Sequence, residues 1–132
     1  MSTHNRNTLR TPLALARGLG SAKHGTDHWW HQRLTALALI PLTLWFVIAV
    51  IIHLGADYVE MVEWLRSPYS AAMMILFVAV GFHHAAAGMQ VVLEDYVHNE
   101  FAKIASIIVT KFVLYALAAI CIVSVLKLTF GV

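Results

Sequence analysis

The stretch "SPYSAAMMILFVAVGFHHAAAGMQVVL", residues 67–93, contains no Asp, Glu, Lys or Arg. It is longer than the roughly 20 apolar residues that a helix needs to cross a bilayer. Residues 34–56 also lack these charges, and a third apolar run, residues 104–132, is interrupted by two lysines only. We therefore predict an all-α membrane protein with three transmembrane helices. Their predicted positions are about 34–56, 69–93 and 104–130.

The composition of the whole chain agrees with this prediction. Hydrophobic residues make up 60% of its 132 residues and charged residues 12%, whereas soluble domains average about 45–50% and about 25%. The charge pattern divides the chain into a basic N-terminal segment, residues 1–32, and a transmembrane domain, residues 33–132. The single cysteine and the lack of Gly-rich nucleotide motifs exclude flavin, iron–sulfur or nucleotide chemistry on this chain alone. No feature predicts binding to nucleic acid.

The orientation follows from the loops. Four basic residues precede the first acid, Asp27, whereas the first loop, "DYVEMVEWLRSP", has three acids and one base. Lys and Arg near helix ends mark the cytoplasmic side. We predict a multi-pass protein of the bacterial inner membrane with a cytoplasmic N-terminus. The mitochondrial inner membrane, with the N-terminus in the matrix, is the alternative.

Three histidines lie inside the apolar stretches, where polar residues are costly and are candidates for function. Gly81, His84 and Gly88 share one helix face because they are three and four residues apart. Two explanations of this face stay open. The glycines could leave room beside His84 for a porphyrin, whose iron is commonly held by histidine. They could instead permit close packing of a neighbouring helix.

The other two histidines have different predicted roles. His83 points about 100° away from His84, and a hydrogen bond to a neighbouring helix would account for it. His53 differs from His84 by about 13 Å in depth along the membrane normal. One iron cannot bind both, because each metal–nitrogen bond is only about 2 Å long. If His84 binds haem with two histidines, the second belongs to another chain.

Charged and polar residues gather at the predicted inner boundary. Arg33 and His28 form a cationic rim where haem propionates could end, because Arg pairs bidentately with carboxylates; lipid headgroups are the alternative. Asp95 and Tyr96 lie about 17–18 Å along the helix from His84. A phenol hydroxyl can donate a hydrogen bond to a quinone carbonyl, and a carboxylate can pass protons. The alternative for Tyr96 is an interfacial anchor.

The stretch "HAAAGMQVVLEDYV", residues 84–97, resembles the signature of the small hydrophobic membrane anchor of succinate dehydrogenase (respiratory complex II). That family has a His, a Gly four residues later, a Gln two further, and Asp-Tyr-Val beginning eleven after the His. The segment "RLTALAL", residues 33–39, resembles the family's Arg-x-Thr-Ala opening. Three helices with an inner N-terminus also agree, and the resemblance covers residues 25–132.

The resemblance implies roles for individual residues. His84 would be an axial ligand of the iron of haem b, with the second ligand from a partner anchor of the cytochrome b type. Tyr96 would hydrogen-bond the ubiquinone headgroup, with Asp95 beside it, and Arg33 would contact a haem propionate. Bacterial relatives have a histidine six residues before this arginine. In this chain His28 lies five residues before Arg33 instead of six. The resemblance therefore assigns the propionate role to His28 only if the histidine is allowed to move by one position.

The resemblance also implies the setting. Succinate would be oxidised on a flavoprotein subunit and an iron–sulfur subunit, and electrons would reach ubiquinone at the inner surface of the membrane. The chain would be a non-flavin subunit, without a complete active site of its own, in a helical bundle shared with the cytochrome b-type anchor. The alternatives are an anchor of another quinone oxidoreductase such as a fumarate reductase, a structural anchor without haem, and a non-redox proton or ion pathway.

Overall fold

The computed structural model describes residues 11, 13, 16, 17 and 25–131, without the side chain of His28. Most of the predicted basic segment, residues 1–32, therefore lies outside the described residues. The described part folds into four helices, and three of them are long and apolar enough to cross a membrane. The prediction of an all-α membrane protein with three such helices is confirmed. The helices are α1 (Gly25–Ile52), α2 (Tyr58–Arg66), α3 (Pro68–Tyr96) and α4 (Glu100–Phe130).

The helix ends differ from the predicted ones. The first helix begins at Gly25 instead of residue 34 and ends at Ile52 instead of residue 56. Hydropathy locates the apolar part of a helix, but backbone hydrogen bonding continues into the polar boundary, so α1 extends beyond Arg33. At the other end, Gly55 adopts φ = +87°. That conformation favours glycine and ends the helix.

Helix α2 lies in the segment that the hydropathy pattern predicts as a loop. Its N-terminus has a capping box: the Asp57 carboxylate accepts the Glu60 N–H (2.9 Å), and the Glu60 carboxylate accepts the Asp57 N–H (3.3 Å). An acid followed three residues later by Glu is the sequence signal for such a start. The signal is present in "DYVE", but a search for apolar runs does not detect it.

Helix α3 is the centre of the bundle. Both α1 and α4 pack against it, and within residues 25–131 no Cα atom of α1 lies within 8 Å of one of α4. On the α1 side the rings of Phe46 and Phe77 stack with centroids 4.5 Å apart. Helix α2 packs against α3 and α4, and the Thr129 hydroxyl lies 3.1 Å from the Leu65 carbonyl oxygen. The residues of α3 therefore have two different neighbouring helices.

The buried positions are occupied mainly by small side chains. Small residues let helix backbones approach closely, and lipid gives apolar side chains no reason to turn inward. Large apolar residues accordingly face outward, and Phe112 for example is 76% exposed. This outer surface is available to lipid and to helices of other subunits. The buried residues are Leu42, Ala49, Ser70, Ala71, Ala86, Ala118 and Val125.

Candidate functional site

His84 lies on the face of α3 that packs against α1 and is partly buried. Its Nδ1 is 2.9 Å from the Oγ1 atom of Thr35 on α1. The same Oγ1 atom is 2.8 Å from the carbonyl oxygen of His31 and 3.1 Å from that of Gln32. A threonine inside a helix commonly donates its hydroxyl to the carbonyl four residues earlier. Thr35 therefore joins its own helix backbone to the histidine of the neighbouring helix.

The contacts of Thr35 favour one direction for the hydrogen bond at His84. A hydroxyl has one proton, and without that proton the 2.8 Å contact between Thr35 Oγ1 and the His31 oxygen would set lone pairs against each other. The Thr35 proton is thus donated to the backbone. Nδ1 of His84 must then be the donor to Thr35. In a neutral imidazole with a proton on Nδ1, the other nitrogen, Nε2, has a free lone pair.

The glycines beside His84 are covered by α1. A Cβ atom built on Gly88 would lie 3.4 Å from Nε2 of the Gln32 side chain, and one on Gly81 would lie 4.0 Å from Cδ2 of Leu39. The glycine stripe therefore faces α1, at distances where an added methyl group would make ordinary van der Waals contacts. A large ligand at His84 would have to approach from a side other than the α1 interface.

The Gln32 side chain leaves one polar atom without a partner. Its Oε1 is buried and accepts no hydrogen bond from any described residue. Buried polar atoms are almost always satisfied by protein, water or a bound group. The boundary between α1 and α3, near Gly88, thus has an acceptor that needs a donor from outside the described residues.

His83 turns away from α1 toward α4, as the 100° offset predicts. Its Nδ1 lies 3.1 Å from the phenol oxygen of Tyr115, so the predicted hydrogen bond to a neighbouring helix is confirmed. Both side chains line a cavity of about 230 Å³ between the three long helices. The remaining lining residues are His31, Ala87, Gln90 and Lys111.

His53 occupies the opposite end of α1. Its Nδ1 donates to the Ala49 carbonyl oxygen of its own helix at 2.8 Å. The ring lies against Trp64 of α2 with centroids 4.7 Å apart, and Trp64 in turn stacks on Trp45 at 6.0 Å. His53 is thus part of an aromatic cluster at the C-terminal end of α1, and the structure does not bring it together with His84.

Tyr96 is the last residue of α3 and is 78% exposed. Within the described part of the chain, neither its hydroxyl nor the exposed Asp95 carboxylate has a hydrogen-bond partner. The neighbouring Glu94 differs, because its carboxylate accepts a 2.6 Å hydrogen bond from the Gln90 amide. Asp95 and Tyr96 therefore present an acceptor and a phenol side by side at the C-terminal end of α3, free to meet a ligand or another protein of a complex.

Arg33 is exposed in the N-terminal half of α1. Its guanidinium lies over the Trp29 ring, 5.2 Å from the centroid. Among the described residues no carboxylate is within ion-pair distance of it. His28 belongs to the first turns of α1, but the predicted contact of its side chain lies outside the described residues.

No group of three or more His, Cys, Asp or Glu side chains in the described ranges could hold a metal ion. A porphyrin would not require such a group, because it supplies its own four nitrogens and needs only axial ligands. Sequence reasoning missed Thr35, Gln32 and Tyr115 as neighbours of the histidines. Helical spacing relates residues within one helix only, so no signal in the sequence pairs Thr35 with His84.

Comparisons with known proteins identify the family of the chain. Residues 7–124 match the family described as succinate dehydrogenase/fumarate reductase transmembrane subunit. The chain is 36% identical over 97 residues to the succinate dehydrogenase hydrophobic membrane anchor subunit of Paracoccus denitrificans, covering 74% of this chain and 75% of that protein. It is 36% identical over 90 residues to the protein of the same name from Rickettsia bellii, covering 67% and 71%.

A third relative is the succinate dehydrogenase membrane anchor subunit of Reclinomonas americana, which is 33% identical over 93 residues, 67% of this chain and 77% of that protein. No solved structure matches significantly. The matched region contains all three long helices except the end of α4. The chain therefore belongs to the succinate dehydrogenase/fumarate reductase transmembrane subunit family, as a multi-pass anchor subunit of an enzyme complex.

Proposed function

We propose that the chain helps to bind haem b and the ubiquinone headgroup in a succinate:ubiquinone oxidoreductase. His84 would be one axial ligand, and a partner anchor of the cytochrome b type would supply the other. The flavoprotein and iron–sulfur subunits would oxidise succinate and dock at the inner ends of the helices. The observation that carries the haem assignment is the 2.9 Å contact between His84 Nδ1 and Thr35 Oγ1. When Nδ1 donates in this contact, Nε2 keeps a free lone pair.

The residues around His84 fit such a group. Neutral imidazole is a common iron ligand, and ligating histidines almost always donate their other N–H to a nearby acceptor. Thr35 is that acceptor here. The unpartnered Oε1 of Gln32 near Gly88 also supports contact with something beyond this chain. When bound, the haem would accept and donate single electrons; the chain's own part is to hold the imidazole.

The quinone assignment rests on Tyr96 and Asp95. Tyr96 would donate its hydroxyl proton in a hydrogen bond to a carbonyl oxygen of the headgroup, and Asp95 would hold a proton beside it. Their exposure at the inner end of α3 supports this role. Arg33 would meet a propionate carboxylate, and its lack of an ion-pair partner among the described residues is consistent with that.

The names of the relatives favour succinate dehydrogenase over the fumarate reductase alternative. The complex should be isolated through a tag on this chain, the copurifying subunits identified, and reduced-minus-oxidised spectra recorded. Flavoprotein and iron–sulfur partners together with a low-spin haem b spectrum are expected. A complex without haem would contradict the haem assignment and leave the structural-anchor alternative.

The quinone role has a separate test. Tyr96→Phe keeps the ring and removes one donor, so assembly, haem and succinate oxidation with a soluble acceptor should survive. Loss of one donor that strengthens as charge develops costs about 10²–10³ in rate. The measurement is the ratio of quinone to artificial-acceptor turnover; a ratio equal to that of wild type would leave Tyr96 an interfacial anchor. Asp95→Asn should show a milder defect.

The orientation is a proposal as well: the N-terminus faces the cytoplasm, and α2 lies at the opposite surface. It is supported by the acidic character of α2, which contains Glu60 and Glu63. Cysteines at position 60 and in the N-terminal segment, each in a Cys121→Ser background, should be labelled differently in intact cells by an impermeant reagent. Labelling at position 60 alone is expected, and the reverse pattern would invert the topology.

A further inference from the structure

We infer that Thr35 is the positioning residue of His84: it holds the imidazole in the Nδ1–H tautomer and keeps Nε2 unprotonated for a ligand. The assignment of the tautomer rests on the hydrogen-bond geometry alone. Only its consequence for haem rests on the proposed function.

The position of the Thr35 hydroxyl oxygen is determined by contacts within α1. The Thr35 oxygen is held by its contacts with two carbonyl oxygens of its own helix, at 2.8 Å and 3.1 Å. A β-branched side chain inside a helix also has few available rotamers. The oxygen is therefore a rigid point of α1, and the histidine ring of α3 is oriented by docking onto it.

The hydrogen bond also changes the electronic character of the ring. A hydroxyl that donates its own proton becomes a better acceptor, because hydrogen bonds in a chain polarise one another. Donation from Nδ1 to such an acceptor makes Nε2 more basic. A more basic ligand stabilises the ferric state over the ferrous state, so Thr35 should lower the midpoint potential of a haem bound to His84.

In the described part of the chain the adjacent histidine, His83, has no partner that can only accept a hydrogen bond. Tyr115 faces His83 Nδ1 at 3.1 Å, and its phenol makes no other hydrogen bond among the described residues. A phenol can donate or accept, so either tautomer of His83 satisfies this contact. Of the two histidines in the centre of α3, only His84 has its tautomer set by the structure.

Four forms of the full-length chain provide the test: wild type, Thr35→Val, Thr35→Ser and Thr43→Val. Valine has the shape of threonine without the hydroxyl, and serine keeps the hydroxyl. Thr43 is an exposed threonine of the same helix without a side-chain hydrogen bond among the described residues, so Thr43→Val is the matched control. Comparison with a His84→Gln sample identifies the signals of residue 84.

The first measurement needs no haem. Nitrogen-15 solid-state NMR of histidine-labelled chain in lipid bilayers distinguishes the two tautomers. We expect the Nδ1–H tautomer of His84 in wild type, Thr35→Ser and Thr43→Val, and a loss of its predominance in Thr35→Val. An Nε2–H tautomer in wild type, or an unchanged tautomer in Thr35→Val, would overturn the inference.

The second measurement uses the intact complex. Thr35→Val should weaken haem retention about 10- to 100-fold, the usual loss when the partner of a ligating histidine is removed, and should shift the midpoint potential to a more positive value. Thr35→Ser should restore both. Equal retention and potential in Thr35→Val and wild type would reject the positioning role. If the wild-type complex has no haem, the proposed function fails, and the NMR experiment still decides the tautomer.

Discussion

The two faces of α3 hold similar residues in different situations. His84 faces α1, where Thr35 accepts the hydrogen bond from the Nδ1 of the histidine. The Thr35 hydroxyl donates its own proton to a carbonyl oxygen of α1. His83 faces α4, where it meets a phenol beside a cavity of about 230 Å³. The α1 face contains the glycine stripe of α3, whereas the cavity beside His83 is lined by residues of all three long helices. Two consecutive histidines of one sequence thus have different chemistry because different helices cover them.

This difference shows how histidines in a membrane can be distinguished. Every buried imidazole needs a hydrogen bond, so the presence of one says little about function. The informative feature is whether the partner leaves the ring a choice of tautomer. The contact with Thr35 permits only one tautomer of His84, whereas the contact with Tyr115 permits both tautomers of His83. This difference favours His84 as the ligand on physical grounds that are independent of the sequence motif.

The largest expected effect comes from removing each histidine in turn. His84→Ala should abolish the low-spin bis-histidine spectrum of haem b, because it removes the axial nitrogen that this chain is proposed to supply, while His83→Ala should retain it. The measurement is the reduced-minus-oxidised spectrum of each purified complex, since another ligand can keep haem bound with an altered spectrum. A normal spectrum in His84→Ala together with its loss in His83→Ala would exchange the roles of the two faces.

A smaller effect is expected from adding a side chain on the face of α3 that α1 covers. Gly88→Leu places a branched side chain where even a Cβ atom would lie 3.4 Å from Gln32, and overpacking typically costs about 1–3 kcal/mol. The thermal midpoint of the complex should fall. Gly81→Ala is the matched control, because its Cβ would have 4.0 Å to the nearest side chain of another element. A similar loss in both variants would mean that the face is uniformly tight.

The smallest effect is expected at the α4 face. Tyr115→Phe removes the phenol oxygen and keeps the ring, so it deletes one interhelical hydrogen bond, which in membrane proteins averages about 0.6 kcal/mol. A slight fall in the thermal midpoint and an unchanged haem spectrum and potential are expected. If the haem potential moved as far as in Thr35→Val, the distinction between the two faces would be refuted.

The features that depend on one helix at a time could be predicted from the sequence. Charge-free apolar stretches predict three spanning helices because an unpaired charge in lipid is costly. The spacing of residues predicts that His83 and His84 point to different sides. Even the short helix α2, which the hydropathy pattern misses, has its start signal in "DYVE", since a capping box is made by neighbours in the chain.

What each of those sides meets depends on how the helices pack. Thr35 and His84 are 49 positions apart, and no periodicity connects residues of different helices. The order of packing, with α3 between α1 and α4, assigns Thr35 to one histidine and Tyr115 to the other. It also places α1 beside the glycines, which the sequence could not do, because a small residue leaves the same pattern whether its neighbour is a helix or a ligand.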